Sequence, residues 1–595
     1  MKKMLLILTF SFSAVFAQSS PYLLNPEKAI GYVDSCANFW LSAYDQNSGG
    51  FYTNIDRQGN LINAWGTNKN MLTQTRDAYG FVRAYMLTGN DVYLQMAKAA
   101  LDFLYAHAWD ANNGGWFSEL SATGNPTNPG ANKTAFDQHY ALLGIGAYFE
   151  ATGDTISWNW IEKGYDHLEN VFWDDRADYF GYYDVSNSQG TSVTNKSFNA
   201  TVDAVTTHLL QLYLLTENPV YRERLIQMAD NMLNRLVAGM DAQAIGFVEK
   251  YNSDWDWNNG ETMTIMGHVL KTAWCLGRIY QFEPDPNYLW GAEKLITDVL
   301  DKGYDHELGG PYKDYNRVTG QMIMWGNPDT AKAWWQMEQA VTAGLEWHYL
   351  TNDQKYLDMA DETLNFFMKY FVDHDFGEVY ENRTRYGAQT WGDHKGNGFK
   401  AGYHSIELGY YTYLYGNLFT KNETALLHYK FAPIDSARDI LLTPLSAALG
   451  NLRIQSVLLD GSNYSDYNPD TRVLHLPANI GGHFEVAFQL SPETGIAEAD
   501  NSPRAFELFQ NYPNPFNPST TIRYRLDKPG NVKLTIFNIR GQVIKTLVSR
   551  SQPIGNYEVE WNGLTQSGQA AASGLYFYEL KFGDFRETNS MILLR

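Results

Sequence analysis

The sequence predicts a mainly α protein: a closed ring of paired helices, an (α/α)6 barrel, over residues 22–420, followed by two small β-sandwich-like domains. Three observations predict this. An acidic residue followed by glycine and then an aromatic recurs six times, at Asp45–Tyr52 (DQNSGGFY), Asp110–Phe117, Asp174–Tyr183, Asp241–Phe247, Asp305–Tyr312 and Asp373–Tyr380. The marker glycines Gly50, Gly115, Gly181, Gly246, Gly310 and Gly377 are 65, 66, 65, 64 and 67 residues apart, which is an internal repeat. Between the markers apolar residues recur at three- and four-residue steps, as in Val92–Ala106 and Tyr356–Tyr370, the pattern of amphipathic helices. Helical periodicity then stops near Leu418 and gives way to short alternating runs.

A period near 65 holds two helices and two connections, so the repeated unit is expected to be a helical hairpin whose loop carries the Asp-Gly-aromatic turn. Glycine accepts positive φ without steric cost, and the Asp side chain bonds nearby backbone N–H groups. Six hairpins can close into a ring of inner helices sheathed by outer ones, leaving a pocket where the inner helices converge. Residues 425–492 contain strand runs such as NLRIQSVLLDGSNY and TRVLHLPANIGGHFEVAFQL, read as a small β domain. A polar stretch at 493–505 reads as a linker, and a further strand-rich segment occupies 506–595.

Residues 1–17 (MKKMLLILTFSFSAVFA) carry two lysines, an apolar run and small residues before Gln18, the pattern of a signal peptide, so export is expected. No later stretch approaches the roughly 20 continuous apolar residues of a membrane span. The formal charge of −21 argues against a nucleic-acid partner, which would need a basic face. With 17 Trp and 40 Tyr, a small neutral carbohydrate is the better candidate. Cys36 and Cys275 have no metal-ligand spacing around them, and inert packing is expected rather than a disulfide.

Segments of the last 90 residues, NYPNPFNPSTTIRYRL, LTIFNIRGQVIKTL and SGLYFYEL, resemble the C-terminal sorting domain of type IX secretion. The resemblance implies the type IX machinery as a partner and a secreted or cell-surface location.

Histidine is scarce, at 13 residues, and three lie in helical segments with similar surroundings: His208 (TTHLLQLY), His268 (IMGHVLKTAW) and His404 (KAGYHSIELGYY). Their spacing lets all three point to one pocket. An ordinary pKa of about 6.5 suits histidine to moving protons at neutral pH, and a pair on opposite faces of a bound carbon could take a proton from one side and deliver one to the other.

Several motifs together, KNMLTQTRDAYGFVRAY, HLLQLY, GHVLKTAW, WWQMEQA and KGNGFKAGYH, resemble the N-acylglucosamine 2-epimerase superfamily, which includes cellobiose 2-epimerases and aldose-ketose isomerases. The resemblance implies C2 epimerisation or isomerisation of a reducing sugar through a cis-enediolate. It implies His404 and His268 as the base/acid pair, with His208 and Arg76 near the ring or the developing oxyanion. Trp274, Trp334 and Glu338 fall on its sugar-binding positions, and no metal or nucleotide cofactor is implied. The chain departs from the family pattern at Lys271 (a glutamate there), Glu407 (an arginine), Ala204 (an asparagine) and Gln211 (a glutamate). Lys271 and Glu407 each lie three residues beyond a histidine, on its helix face, and are expected to form a charge pair of reversed polarity. Two alternatives stay open: a glycoside hydrolase drawing on two of Asp137, Asp203, Glu261 and Glu338, and a secreted glycan-binding protein without catalysis.

Overall fold

The computed structural model describes residues 20–237, 247–324, 327–444, 450–491 and, from 506 to 593, all but 510, 512, 515, 527, 539–541 and 584. The expected signal peptide, the linker and most of the fourth repeated turn lie outside the described residues.

Among the described residues, twelve helices alternate between an outer and an inner ring. The outer ones are α1 (Lys28–Trp40), α3 (Asp91–His107), α5 (Thr155–His167), α7 (Pro219–Asn231), α9 (Pro286–Asp298) and α11 (Gln354–Tyr370). The inner ones are α2 (Met71–Thr88), α4 (Ala135–Thr152), α6 (Phe198–Ala204, continued through a π-helical Val205–Leu209 into Leu210–Thr216), α8 (Met266–Tyr280), α10 (Trp334–Thr351) and α12 (Tyr403–Tyr415). This is the (α/α)6 barrel. Inner helices are buried on every face: Met71–Leu87 and Tyr403–Tyr415 are buried throughout, whereas α3 buries only one stripe.

The repeated turn lies in the loop of a helical hairpin, the hairpin being an outer helix and the inner helix that follows it. Inner and outer helices are joined by two-residue links, Gly89–Asn90, Gly153–Asp154, Glu217–Asn218 and Asn352–Asp353. In each, the first residue closes the inner helix in the left-handed conformation (φ 68, 64, 51 and 55°) and the second caps the outer helix with its side chain. The Asp-Gly-aromatic turn lies at the other end, where each outer helix passes to the next inner one. There the Asp45 N–H donates to Gly50 O at 2.9 Å and the Gly49 N–H to Asp45 O at 2.9 Å, and Gly50 needs its φ of 71°.

Among the described residues, a buried lysine ahead of the next inner helix locks five of the turns. Lys69 pairs with Asp45 (2.8 Å), Lys133 with Asp110 (2.8 Å), Lys196 with Asp174 (2.8 Å), Lys332 with Asp305 (3.0 Å) and Lys395 with Asp373 (2.8 Å). The aspartate is thus a charged anchor as well as a turn former, and the acidic position of the repeat is explained by its lysine.

The β module begins at β1 (Ala425–Phe431) and continues through β2 (Arg438–Leu441), β3 (Leu452–Leu459), β4 (Ser462–Asn463), β5 (Val473–Leu476) and β6 (Gly482–Leu490). It forms an antiparallel sheet in the order β1-β6-β3-β4 beside a β2-β5 ribbon. It was expected as a separate domain, but it belongs to the same compact unit as the barrel, with β1 packed on α2 and α4. Residues 506–593 form an antiparallel pair of three- and four-stranded sheets around Phe516, Ile522, Tyr524, Ile536, Trp561 and Tyr578. Both cysteines are free and buried.

Candidate active site

The long connections and the N-terminal ends of the inner helices enclose a cavity of about 520 Å³, within the size range of small-molecule sites. Helix N-termini favour negative charge, so the backbone itself suits a group that becomes anionic. The lining includes Arg76 from α2, Tyr140 from α4, Asn199 and Asp203 from α6, His268 and Lys271 from α8, and Trp334, Trp335 and Gln336 from α10. His404 of α12 completes the wall, and Lys313, Asp314, Glu381, Trp391 and Phe399 come from the loops.

His268 and His404 flank the Trp335 ring, with centroids 5.1 and 6.1 Å from it. Each has its Nδ1 on a glutamate: His268 with Glu249 Oε2 at 3.0 Å, and His404 with Glu338 Oε2 at 3.2 Å. Such a carboxylate fixes the proton on Nδ1 and leaves Nε2 as the nitrogen that can meet a substrate. His268 also stacks on Phe198 at 3.9 Å, and Glu249 Oε1 accepts the Ile265 N–H at the start of α8, so ring and helix end share one anchor. Burial, then the charges of Arg76, Lys271 and Lys400, push the His404 pKa well below its ordinary value. Burial, then Glu407, push the Glu338 carboxyl well up.

Two of the cations that line the cavity come from inner helices. Arg76 donates to the Phe399 carbonyl and lies 4.5 Å over the Tyr140 ring, which leaves part of its guanidinium fork for a ligand. Lys271 Nζ pairs with Asp203 Oδ1 at 2.5 Å and donates to the Tyr140 hydroxyl at 3.2 Å. Burial opposes charge on Lys271, but Asp203 and Tyr140 overcome it and hold its pKa above the ordinary value. This corrects the expected charge pair: the carboxylate in ion-pair contact with Lys271 is Asp203, which Asn199 Nδ2 also contacts at 2.9 Å, and not Glu407. Glu407 instead accepts the Tyr79 hydroxyl at 2.8 Å and lies 4.0 Å behind His404 Nδ1.

Of the residues singled out in the sequence, Arg76, His268, Lys271, Trp334 and His404 line the cavity together. Glu338 and Glu407 stand behind His404. Trp274 lies outside the lining, its Nε1 donating to Gln339 Oε1 at 2.7 Å under the Arg278 guanidinium. His208 is also outside it, buried, with Nδ1 on Thr207 Oγ1 at 3.0 Å and its ring stacked on His139 at 5.2 Å. His208 lies in the π-helical segment Val205–Leu209 of α6, whereas Asn199 and Asp203, in the α-helical stretch before it, reach the cavity. Of the carboxylates considered for a hydrolase, Asp203 alone lines the cavity, and it is tied to Lys271.

Sequence reasoning missed Glu249, Tyr140, Asn199, Trp335 and the role of Asp203. The nearest signal was Trp335 in the WWQMEQA motif; the others lie in segments with no local pattern.

The N-acylglucosamine 2-epimerase (GlcNAc 2-epimerase) family model matches residues 50–406, and an FlgD Ig-like domain model matches residues 517–582. The chain is 23% identical over 386 residues to a cellobiose 2-epimerase of Bacteroides fragilis, an alignment covering 62% of this chain and 93% of that protein. It is also 23% identical over 389 residues to a D-mannose isomerase of Marinomonas mediterranea, covering 63% and 93%. The fold is similar to that of a cellobiose 2-epimerase from Spirochaeta thermophila, with a TM-score of 0.58, 22% identity, and coverage of 67% of this chain and 98% of that one. The chain belongs to the N-acylglucosamine 2-epimerase family of carbohydrate epimerases and isomerases.

Proposed function

We propose that the protein epimerises or isomerises a reducing sugar at C2 by proton transfer between His404, His268 and an enediolate. The observation that carries this reading is the matched pair of imidazoles flanking Trp335, each with Nδ1 on a glutamate. With the sugar ring open, Nε2 of one histidine takes the proton from C2. The electron pair of the C–H bond passes into the enediolate, and negative charge grows on the C1 oxygen. Arg76 and Lys271, both cationic and largely shielded from water, are the groups able to stabilise that charge. Return of a proton to C2 from the other face gives the epimer, and delivery to C1 gives the ketose. Trp334 and Trp335 supply apolar faces for the sugar ring. The relatives named cellobiose 2-epimerase and D-mannose isomerase make glucose- or mannose-containing mono- and disaccharides the first substrates to try.

The test is incubation of reducing mono- and disaccharides with the protein in heavy water, followed by NMR. Exchange of the C2 hydrogen with formation of the epimer or ketose is expected. Cleavage of the glycosidic bond would replace the reading with a hydrolase, and tight binding without exchange would replace it with a glycan-binding protein.

We also propose that residues 1–17 direct export and that residues 506–595 act as a type IX sorting domain, on the motifs of those segments. Mass mapping of the protein recovered outside the cell should show the first 17 residues removed. Recovery of the intact chain from the cytoplasm alone would overturn this.

A further inference from the structure

His404 must carry a proton for part of the proposed cycle, yet its surroundings oppose one. Arg76 of α2, Lys271 of α8 and Lys400 of the preceding loop all act against a positive ring, as does burial. On the other side stand two carboxylates, Glu338 of α10 and Glu407 of α12 itself. The neutral titratable groups around them are Tyr79 of α2, Tyr140 of α4 and Tyr403 of α12. Glu338 holds Nδ1 at 3.2 Å and is otherwise satisfied, with Thr342 Oγ1 donating to it at 2.7 Å and Gln339 donating as well. Glu407 differs. Its Oε1 accepts the Tyr79 hydroxyl, while Oε2 is buried, has no hydrogen-bond partner, and lies 4.0 Å from His404 Nδ1.

We propose that Glu407 is a positioning residue for His404, its Oε2 serving as the second anion that steadies the ring when Nε2 takes the substrate proton. This rests on the C2 proton-transfer reading above. In the resting state Nδ1–H serves Glu338 alone. When Nε2 gains the proton, the positive ring faces both carboxylates, which offset Arg76, Lys271 and Lys400. Buried carboxylates this close repel one another, consistent with the upward push on Glu338, and a protonated ring between them relieves that repulsion. The two unusual charges of the sequence therefore compensate through His404 without touching: Lys271 adds a cation to the cavity wall, and Glu407 adds an anion behind the base.

The test uses the full-length protein with ¹⁵N-labelled histidine, His404 being identified by the signal lost in His404→Asn. In Glu407→Gln, whose amide oxygen still accepts from Tyr79, the His404 titration should move to lower pH by about one unit, tenfold in the proton-binding constant. The rate of C2 exchange should fall about tenfold at unchanged KM, and the acidic limb of kcat/KM should move with the titration. Glu407→Asp, which keeps the charge, should fall between the two, and it serves as the second variant if Glu407→Gln melts early. A His404 titration at the same or higher pH in a folded Glu407→Gln, or in Glu407→Asp if only that variant folds, would overturn the proposal. The titration is read without sugar, so a wild-type protein that exchanges no C2 hydrogen would sink the proposed function and still leave the role of Glu407 decided.

Discussion

Replacing Lys271 by methionine keeps most of its packing volume and removes the charge that Asp203 faces. The two groups are 2.5 Å apart with side-chain exposures of 4% and 2%, so water screens the pair weakly. At an effective dielectric near 20 the attraction at this distance is about 7 kcal/mol, much of it offset by the cost of desolvating both ions. Removing one partner strands the other, so Lys271→Met should cost about 3–5 kcal/mol through the buried Asp203 carboxylate. Asn199 Nδ2 remains as a single donor to Asp203, which places the cost toward the lower end. The double variant Lys271→Met/Asp203→Asn should recover most of that loss, because a neutral amide beside a methionine leaves no uncompensated charge. Chemical unfolding followed by far-UV circular dichroism at neutral pH, on wild type, both single variants and the double, gives the coupling energy directly. A Lys271→Met protein as stable as wild type, or a coupling energy under about 0.5 kcal/mol, would refute the account of the pair.

His404→Asn and His268→Asn should each abolish C2 exchange while melting within a few degrees of wild type; near-normal turnover in either would remove that histidine from the proton path. Stability should fall on acidification through the stacked pair His139 and His208, which are buried, with both His139 nitrogens and His208 Nε2 lacking any hydrogen-bond partner. Burial pushes His139 down to about 4. A folded pKa below the unfolded one means the unfolded chain binds the proton first. Stability is therefore complete above about pH 6.5 and declines toward pH 4, by about 3 kcal/mol from His139 alone at 1.36 kcal/mol per unit. Urea midpoints that stay flat between pH 6.5 and 4.5 would contradict this.

The amino-acid order alone determined the architecture, because a helix pair needs a fixed length of chain and glycine is required wherever the turn takes positive φ. Five intervals of nearly equal length could be counted without coordinates. His268 and His404 were likewise legible, since both belong to motifs within single helices, as were Arg76 and Trp334. What tertiary structure decided were the partners. The sequence paired Lys271 with Glu407 because each shares a face with a histidine, but an inner helix is buried on every face, and its charges are met by neighbouring inner helices rather than by its own residues. Asp203 lies 68 positions from Lys271, and nothing local links them. The same holds for Lys69 and its four counterparts, each reaching back more than 20 residues to its turn. His208 marks the other limit: its motif is recognisable, but the cavity receives Asn199 and Asp203 from the first turns of α6, while His208, farther along in the π-helical segment, packs against His139.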